Sequence, residues 1–395
     1  MSGTESVIAR SGKVRSGAYA ALNGLYWMLA CVALSFAGVF LQGRGCSDSE
    51  IGVIVAAGYC IGLVIQPLTA AAADRSPRAP IAVICLMAAA SGLVMGLLLA
   101  MPGRGLAVTA AFAVFLALAI ALQPLVNAFA FYLERLGTPV PFGLCRGMGS
   151  LAYGVLAAVL GLLARRAGAD TVLMAGIAVI VLMLALMTWF TRAGTPRPAE
   201  KEQDGAARAE NGLKSRSFAC LLVSTALLYL SHAFLTTFTI QIVQGVGGDS
   251  ADMGALTAYL AVLELPAMLL FERLLRRFSC GGLLKFAAVF FAVKNLAVLA
   301  AGSLPGLYGA MSFQALAFAL FVPASVRYAG MLAGEDSANR AQAAVTAMIS
   351  LGNIAASAMG GFLMDGLGLK AAIAAAASSA VAGAAVMWLG LKKGS

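Results

Sequence analysis

The sequence predicts an all-α polytopic membrane protein, with twelve transmembrane helices arranged as two six-helix bundles. Three observations carry that expectation. The first is composition: of 395 residues, 61% are hydrophobic and 11% are charged, with a mean hydropathy of +0.91. A soluble domain carries about 25% charged and about 45–50% apolar residues, so this chain cannot supply a water-facing exterior. The second is one long polar interval, residues 192–216, reading RAGTPRPAEKEQDGAARAENGLKSR. It holds six basic residues (Arg192, Arg197, Lys201, Arg208, Lys214, Arg216), two prolines and no aliphatic run, which is the composition of a solvated linker. The third is symmetry: the linker divides two apolar stretches of similar length, 1–191 and 217–395, each the size of a six-helix bundle.

A spanning helix needs roughly 20 predominantly apolar residues. That rule places spans at 18–42, 50–72, 80–101, 106–131, 142–164, 171–191, 217–243, 253–272, 281–301, 307–332, 342–364 and 370–391. An even number of spans puts both termini on one side. The loops on that side carry Arg10, Lys13, Arg15, Arg75, Arg78, Arg135, the basic linker, Arg273, Arg276, Arg277, Arg340, Lys392 and Lys393. The opposite loops carry Arg44, Arg104, Arg165, Arg166 and Lys370. The bias predicts cytoplasmic termini and a multi-pass inner-membrane location. The net charge of +10 thereby reads as an orientation signal, and no nucleic-acid partner is expected. Seven scattered cysteines, with only Cys46 in an outer loop, give no disulfide framework, and nothing clusters as metal ligands. Residues 1–17 show no signal-peptide pattern, so the first apolar stretch is expected to remain as a span. The Gly and Ala content predicts close helix packing.

In chain order, the outer turn 43–50 offers Asp48 and Ser49 as caps of the second helix, or as ordinary turn residues. Asp74, Arg75 and Arg78 join the second and third spans, either as a basic turn or as a carboxylate–arginine device that biases one conformation. Pro139 and Pro141 suit the start of the fifth helix. Arg146 then falls a turn or two inside it, beside the small residues Gly147, Gly149 and Ser150. An arginine at membrane depth costs about 2.5–3.5 kcal/mol or more unless it faces a wet cavity or a partner, the alternative being snorkelling to the boundary. The seventh span holds the chain's single histidine, His232, as a satisfied core residue or a titratable cavity residue. Glu264 lies about twelve residues into the eighth span, close to the bilayer centre, where a carboxylate is functional by default. Glu272, next to Arg273, reads as a boundary pair. Lys294, with Asn295, is the natural partner for Glu264 from the ninth span. Asp365, near a helix end, reads as a cap or ion-pair member.

Several of these segments resemble the major facilitator superfamily. Asp74-Arg75 with Arg78 is similar to its loop signature G-x-x-x-D-R-x-G-R, with Ala70 and Pro77 in place of the two glycines. Pro124-Leu-Val-Asn-Ala and Phe142-Gly-x-x-Arg-x-x-Gly-Ser resemble the oligosaccharide:proton symporter-like branch, the lactose permease and phenylpropionate permease group. So do His232-Ala with Phe238, Glu264-Leu-Pro266, Arg276-Arg277-Phe278-Ser279, Asn339-Arg340-Ala341-Gln342 and Gly360-Gly361-Phe362 with Asp365. The resemblance implies a fold of two bundles around a midplane cavity and a sugar-binding role at Arg146. The group's partner glutamate is Asn127 here, and its stacking tryptophan is Tyr153. Its arginine in the ninth span is Lys294, its histidine in the tenth is Gln314, and its proton-carrying glutamate is Ala317.

These readings converge on a substrate site of Asn127, Arg146, Tyr153, His232, Glu264, Lys294 and Gln314, with Asp74, Arg75 and Arg78 as a conformational loop. The implied function is secondary active transport of a small polar or aromatic solute. Protons would be carried by Glu264 or His232, and no cofactor is needed besides the proton gradient. Export by proton exchange and facilitative uniport stay open as alternatives. The fifth helix, LAYGVLAAVLGLLA, lacks the Gly-Pro-rich pattern of exporters. No nucleophile–base pair, phosphate loop or metal motif suggests an enzyme, and a receptor or structural protein would not need Arg146, Glu264 and Lys294 at depth. The expected partners are a small-molecule substrate and the lipid bilayer, with the chain acting as a monomer.

Overall fold

A backbone surrounded by hydrocarbon must satisfy its own N–H and C=O groups, which makes each long apolar stretch a helix. The computed structural model describes residues 3–391 except 77, 136, 139, 192–214 and 334–336, and among the described residues there is no strand. The first half contains α1 (Gly3–Ala30), α2 (Ala37–Gly43), α3 (Asp48–Ala73), α4 (Ala79–Ala100), α5 (Leu106–Arg135), α6 (Phe142–Ala167) and α7 (Asp170–Thr191). The second contains α8 (Arg216–Thr237), α9 (Thr239–Gly245), α10 (Ser250–Leu275), α11 (Cys280–Ala300), α12 (Leu304–Ser312), α13 (Phe318–Ala333), α14 (Ala338–Leu367) and α15 (Leu369–Gly390).

Eleven spans among the described residues are long and apolar enough to cross a membrane. The remaining expected span is α10, whose 26 residues measure about 39 Å at 1.5 Å per residue. It is long enough to cross as well, and it carries Glu264 within it. Three spans are broken within their length. A π-helical turn at Cys31–Ser35, closed by Phe36 N–H to Cys31 O at 3.1 Å, separates α1 from α2. Phe238 separates α8 from α9, and a 3₁₀ turn at Phe313–Ala315 leads from α12 towards α13.

The chain divides into two compact units: Met1–Cys46 with Ala57–Lys201, and Ser47–Ala56 with Glu202–Ser395. The first turns of α3 therefore belong with the second unit, a departure from the division at residue 191 read from sequence. The expected linker lies outside the described residues except for its last two positions. There Ser215 caps α8, its side chain accepting from Phe218 N–H at 3.2 Å.

In the first unit Arg44 is pinned by an ion pair to Asp170 at 2.8 Å and by hydrogen bonds to Met101 O and Leu98 O. The loop after α2, the end of α4 and the start of α7 are thus tied together. In the second unit α8 and α15 meet along a serine–glycine seam. Ser217 Oγ donates to Gly390 O at 3.3 Å, Ser224 Oγ to Gly383 O at 2.6 Å, and Ser379 Oγ to Leu227 O at 2.9 Å. Small residues on both faces allow the backbones to approach this closely.

The cap of α3 corrects the sequence expectation. Ser47 and Glu50 form a reciprocal box: Ser47 N–H donates to Glu50 Oε2 at 2.8 Å and Glu50 N–H to Ser47 Oγ at 3.2 Å. Asp48 instead accepts from Gln241 Nε2 at 2.8 Å, and Ser49 supplies its N–H to Asp365 Oδ2 at 2.9 Å. Asp365 thus acts as the helix-end partner expected of it, on a different helix. Glycine is obligatory nearby, because a Cβ at Gly361 would run into Asp48 O and one at Gly52 into Ser357 O.

Candidate functional site

In the second unit, four of the residues expected from sequence are joined in one hydrogen-bonded chain. Gln314 Nε2 donates to Glu264 Oε1 at 2.9 Å. Lys294 Nζ donates to Gln314 Oε1 at 2.7 Å and lies 3.4 Å from His232 Nδ1. The polar identities fix the roles. An ammonium has no acceptor and an ionised carboxylate no donor, so the amide oxygen must face Lys294 and its nitrogen Glu264. His232 then accepts at Nδ1, which places the ring proton of a neutral imidazole on Nε2.

The helices hold this chain by four different local devices. Glu264 sits two residues before Pro266, inside α10. Lys294 projects from the second half of α11 and is fully buried, at 0% exposure. Gln314 stands on the 3₁₀ turn, 5% exposed, where irregular backbone at membrane depth needs protein or a cavity around it. His232 is clamped on α8 by Phe318, stacked at 4.4 Å between centroids, and edge-on by Tyr229 and Phe291. Asn295, also fully buried, donates to Phe291 O at 2.8 Å and to Ser231 Oγ at 3.4 Å, and its Oδ1 has no partner among the described residues. The charge pair expected between Glu264 and Lys294 is thus built through the Gln314 amide.

The first unit holds a second cluster of different character. The Arg146 guanidinium lies 3.9 Å from the centroid of the Trp27 ring, a cation–π contact, and Nη1 donates to Ser150 Oγ at 3.0 Å. Tyr153, two turns further along α6, tilts against the same indole at 6.3 Å, and its hydroxyl shares a 2.5 Å hydrogen bond with Ser35 on the π turn. Gly149 makes the assembly possible. A Cβ there would sit 2.5 Å from Trp27 Cδ1 and 2.5 Å from Asn23 Oδ1, so any side chain would force the indole and the Asn23 amide, or α1 itself, to shift. Asn127 lies on α5 in the same unit, with a buried Oδ1 that has no hydrogen-bond partner among the described residues, and Trp27 Nε1 is in the same condition.

Arg146 and Tyr153 are therefore brought together as expected, and Trp27 and Ser35 join them unannounced. The sequence signal for Trp27 was its place beside Tyr26, two large aromatics side by side in α1. Asp74, Arg75 and Arg78 lie exposed on the turn between α3 and α4. The expected Glu272 pair falls on a side chain outside the described ones. No group of three or more potential metal ligands occurs among the described residues.

Comparison with known proteins bears on the family and the fold. A family model described as the MFS_1 like family matches residues 19–374. The maltose permease of Geobacillus stearothermophilus is 27% identical over 331 residues, spanning 83% of this chain and 82% of that protein. Among solved structures, a mutant of the nucleoside transporter NupG superposes with a TM-score of 0.83 at 14% identity, over 95% of this chain and 100% of the other. A bacterial homologue of the human lysosomal transporter Spinster gives a TM-score of 0.67 at 15% identity, over 96% and 95% of the two chains. At such identities the structural likeness speaks to the fold.

Proposed function

The chain belongs to the MFS_1 like family of membrane transporters, and from that premise we propose that it takes up a small polar or aromatic organic solute in symport with protons. Transport proceeds by alternating access across the inner membrane, with both termini cytoplasmic. The chain works as a monomer and uses no cofactor besides the proton gradient.

One observation carries this reading: the continuous chain Glu264–Gln314–Lys294–His232. Holding a carboxylate and an ammonium at membrane depth is costly, and the cost is sustained where the groups serve an ion or solute pathway. A carboxyl group that can be neutralised by a proton, wired to a cation that can engage a solute, is the minimum equipment of a symporter. Arg146 on Trp27, with Tyr153 alongside, supplies a flat aromatic surface and a fork of donors suited to a ring bearing hydroxyl or carboxylate groups. The likeness to a maltose permease supports a sugar as one candidate solute.

The test is uptake into proteoliposomes of a panel containing maltose, uridine and phenylpropionate, with and without an imposed pH gradient. Accumulation above the external concentration, dependent on an acidic exterior, supports symport. Accumulation driven by the opposite gradient identifies an exporter. Equilibration that ignores the gradient identifies a uniporter, the reading favoured by the untitratable Gln314 and Ala317 in the tenth span.

A further inference from the structure

We propose that Gln314, which cannot itself titrate, is the coupling residue of this protein. Its amide passes the protonation state of Glu264 to the buried Lys294 ammonium. The proposal rests on the proton-coupled reading above and goes beyond it by naming how the proton is felt by the cation.

The geometry is directional. Gln314 touches Glu264 with its nitrogen at 2.9 Å and Lys294 with its oxygen at 2.7 Å. Flipping the amide would set NH₂ against NH₃⁺ and oxygen against carboxylate, so with Glu264 ionised only one orientation is tolerated. Both contacts are then charge-assisted, and hydrogen bonds in a chain polarise one another. Protonation of Glu264 changes the chain at its first link. The contact to Gln314 becomes a neutral one, and the carboxyl gains an O–H donor that can approach the amide oxygen. The amide oxygen is the same atom that holds Lys294. A proton at Glu264 therefore competes for the acceptor of the ammonium and frees Lys294 to bind a solute acceptor.

The surroundings favour such a hinge. Gln314 sits on the three-residue 3₁₀ turn Phe313–Ala315, where the backbone is not locked into the α-helical ladder. The titratable and charged groups around it are Glu264 from α10, Lys294 from α11, and His232 and Tyr229 from α8. His232 is held by aromatic rings on several sides and accepts from Lys294, so it is a fixed second acceptor to which the ammonium can lean when Gln314 lets go.

The experiment uses the full-length protein in detergent micelles, labelled with ¹⁵N at the lysine Nζ, and needs no solute. The Lys294 signal is assigned by its loss in Lys294→Arg. Glu264→Gln, which imitates the neutral carboxyl, is expected to shift this signal in the wild-type background. In a Gln314→Leu background the same change is expected to shift it by less than half as much. Gln314→Asn, whose shorter amide cannot bridge both partners, provides a second background should the leucine variant fail to fold, and the same reduction is expected. An equal shift in the wild-type and variant backgrounds, or no shift in the wild-type background, overturns the proposal. A gradient-insensitive result in the proteoliposome experiment would instead remove the symport reading, so the two failures are distinct.

Discussion

The two polar clusters hold a cation within a span in opposite ways. In the first unit Arg146 lies on the face of Trp27 and donates to Ser150, one turn along its own helix. In the second, Lys294 is threaded into a chain that crosses from α8 through α11 and the 3₁₀ turn to α10. Neither of the two Arg146 contacts is to a titratable group. The chain around Lys294 ends on a carboxyl. In the proposed symport recognition falls to the first unit and coupling to the second, and each part of that proposal can be broken separately.

The largest effect is expected from Glu264→Gln. It preserves shape but cannot exchange a proton, so uphill accumulation should fall to the passive level while solute exchange down its gradient continues. Accumulation equal to wild type in proteoliposomes would dissolve the contrast from the coupling side. Arg146→Gln comes next. It removes the cation and the stacked plane together, and should raise the half-saturating concentration about tenfold, equivalent to about 1.4 kcal/mol. The ratio of protons to solute should stay unchanged. A changed ratio with unchanged affinity would reverse the assignment.

Gly149→Ala should have a smaller effect on the same side. The added Cβ would meet Trp27 Cδ1 and Asn23 Oδ1 at 2.5 Å, so the indole or the helix must shift. Overpacking of this kind costs about 1–3 kcal/mol. Both a lowered melting temperature and a weaker half-saturation are expected, measured by thermal unfolding in detergent and by transport. If affinity is untouched while stability drops, Trp27 has no part in recognition.

How much of this was readable beforehand follows from what lipid penalises. His232, Glu264 and Lys294 stand out in sequence because an ionisable side chain in an apolar span is costly and so rarely incidental, while Gln314 was reached only through the family resemblance. Trp27, Ser35 and Phe318 carry no such mark, since aromatics and serines are ordinary in spans. Their roles depend on side-chain meetings across helices that no spacing rule reveals. The π turn at Cys31–Ser35 was equally silent: its five residues, CVALS, read as plain helix. The start of α3 is the opposite case. Ser47-x-x-Glu50 is a complete capping-box pattern, and the neighbouring Asp48 and Ser49 drew attention from it.

The smallest effect should come from the seam that neither cluster uses. Ser224 lies on α8 two turns before His232, about 12 Å along the axis, with its hydroxyl 2.6 Å from Gly383 O. That carbonyl lies within the α15 helical ladder, so Ser224→Ala leaves no buried group stranded and removes one interhelical bond. Such bonds average about 0.6 kcal/mol in a membrane. A slight fall in melting temperature is expected, with uptake, half-saturation and proton ratio all unchanged. If Ser224→Ala altered coupling, the α8–α15 seam would have to move during transport. The coupling element would then be the whole of α8, and the hydrogen-bonded chain at its centre would be one part of it.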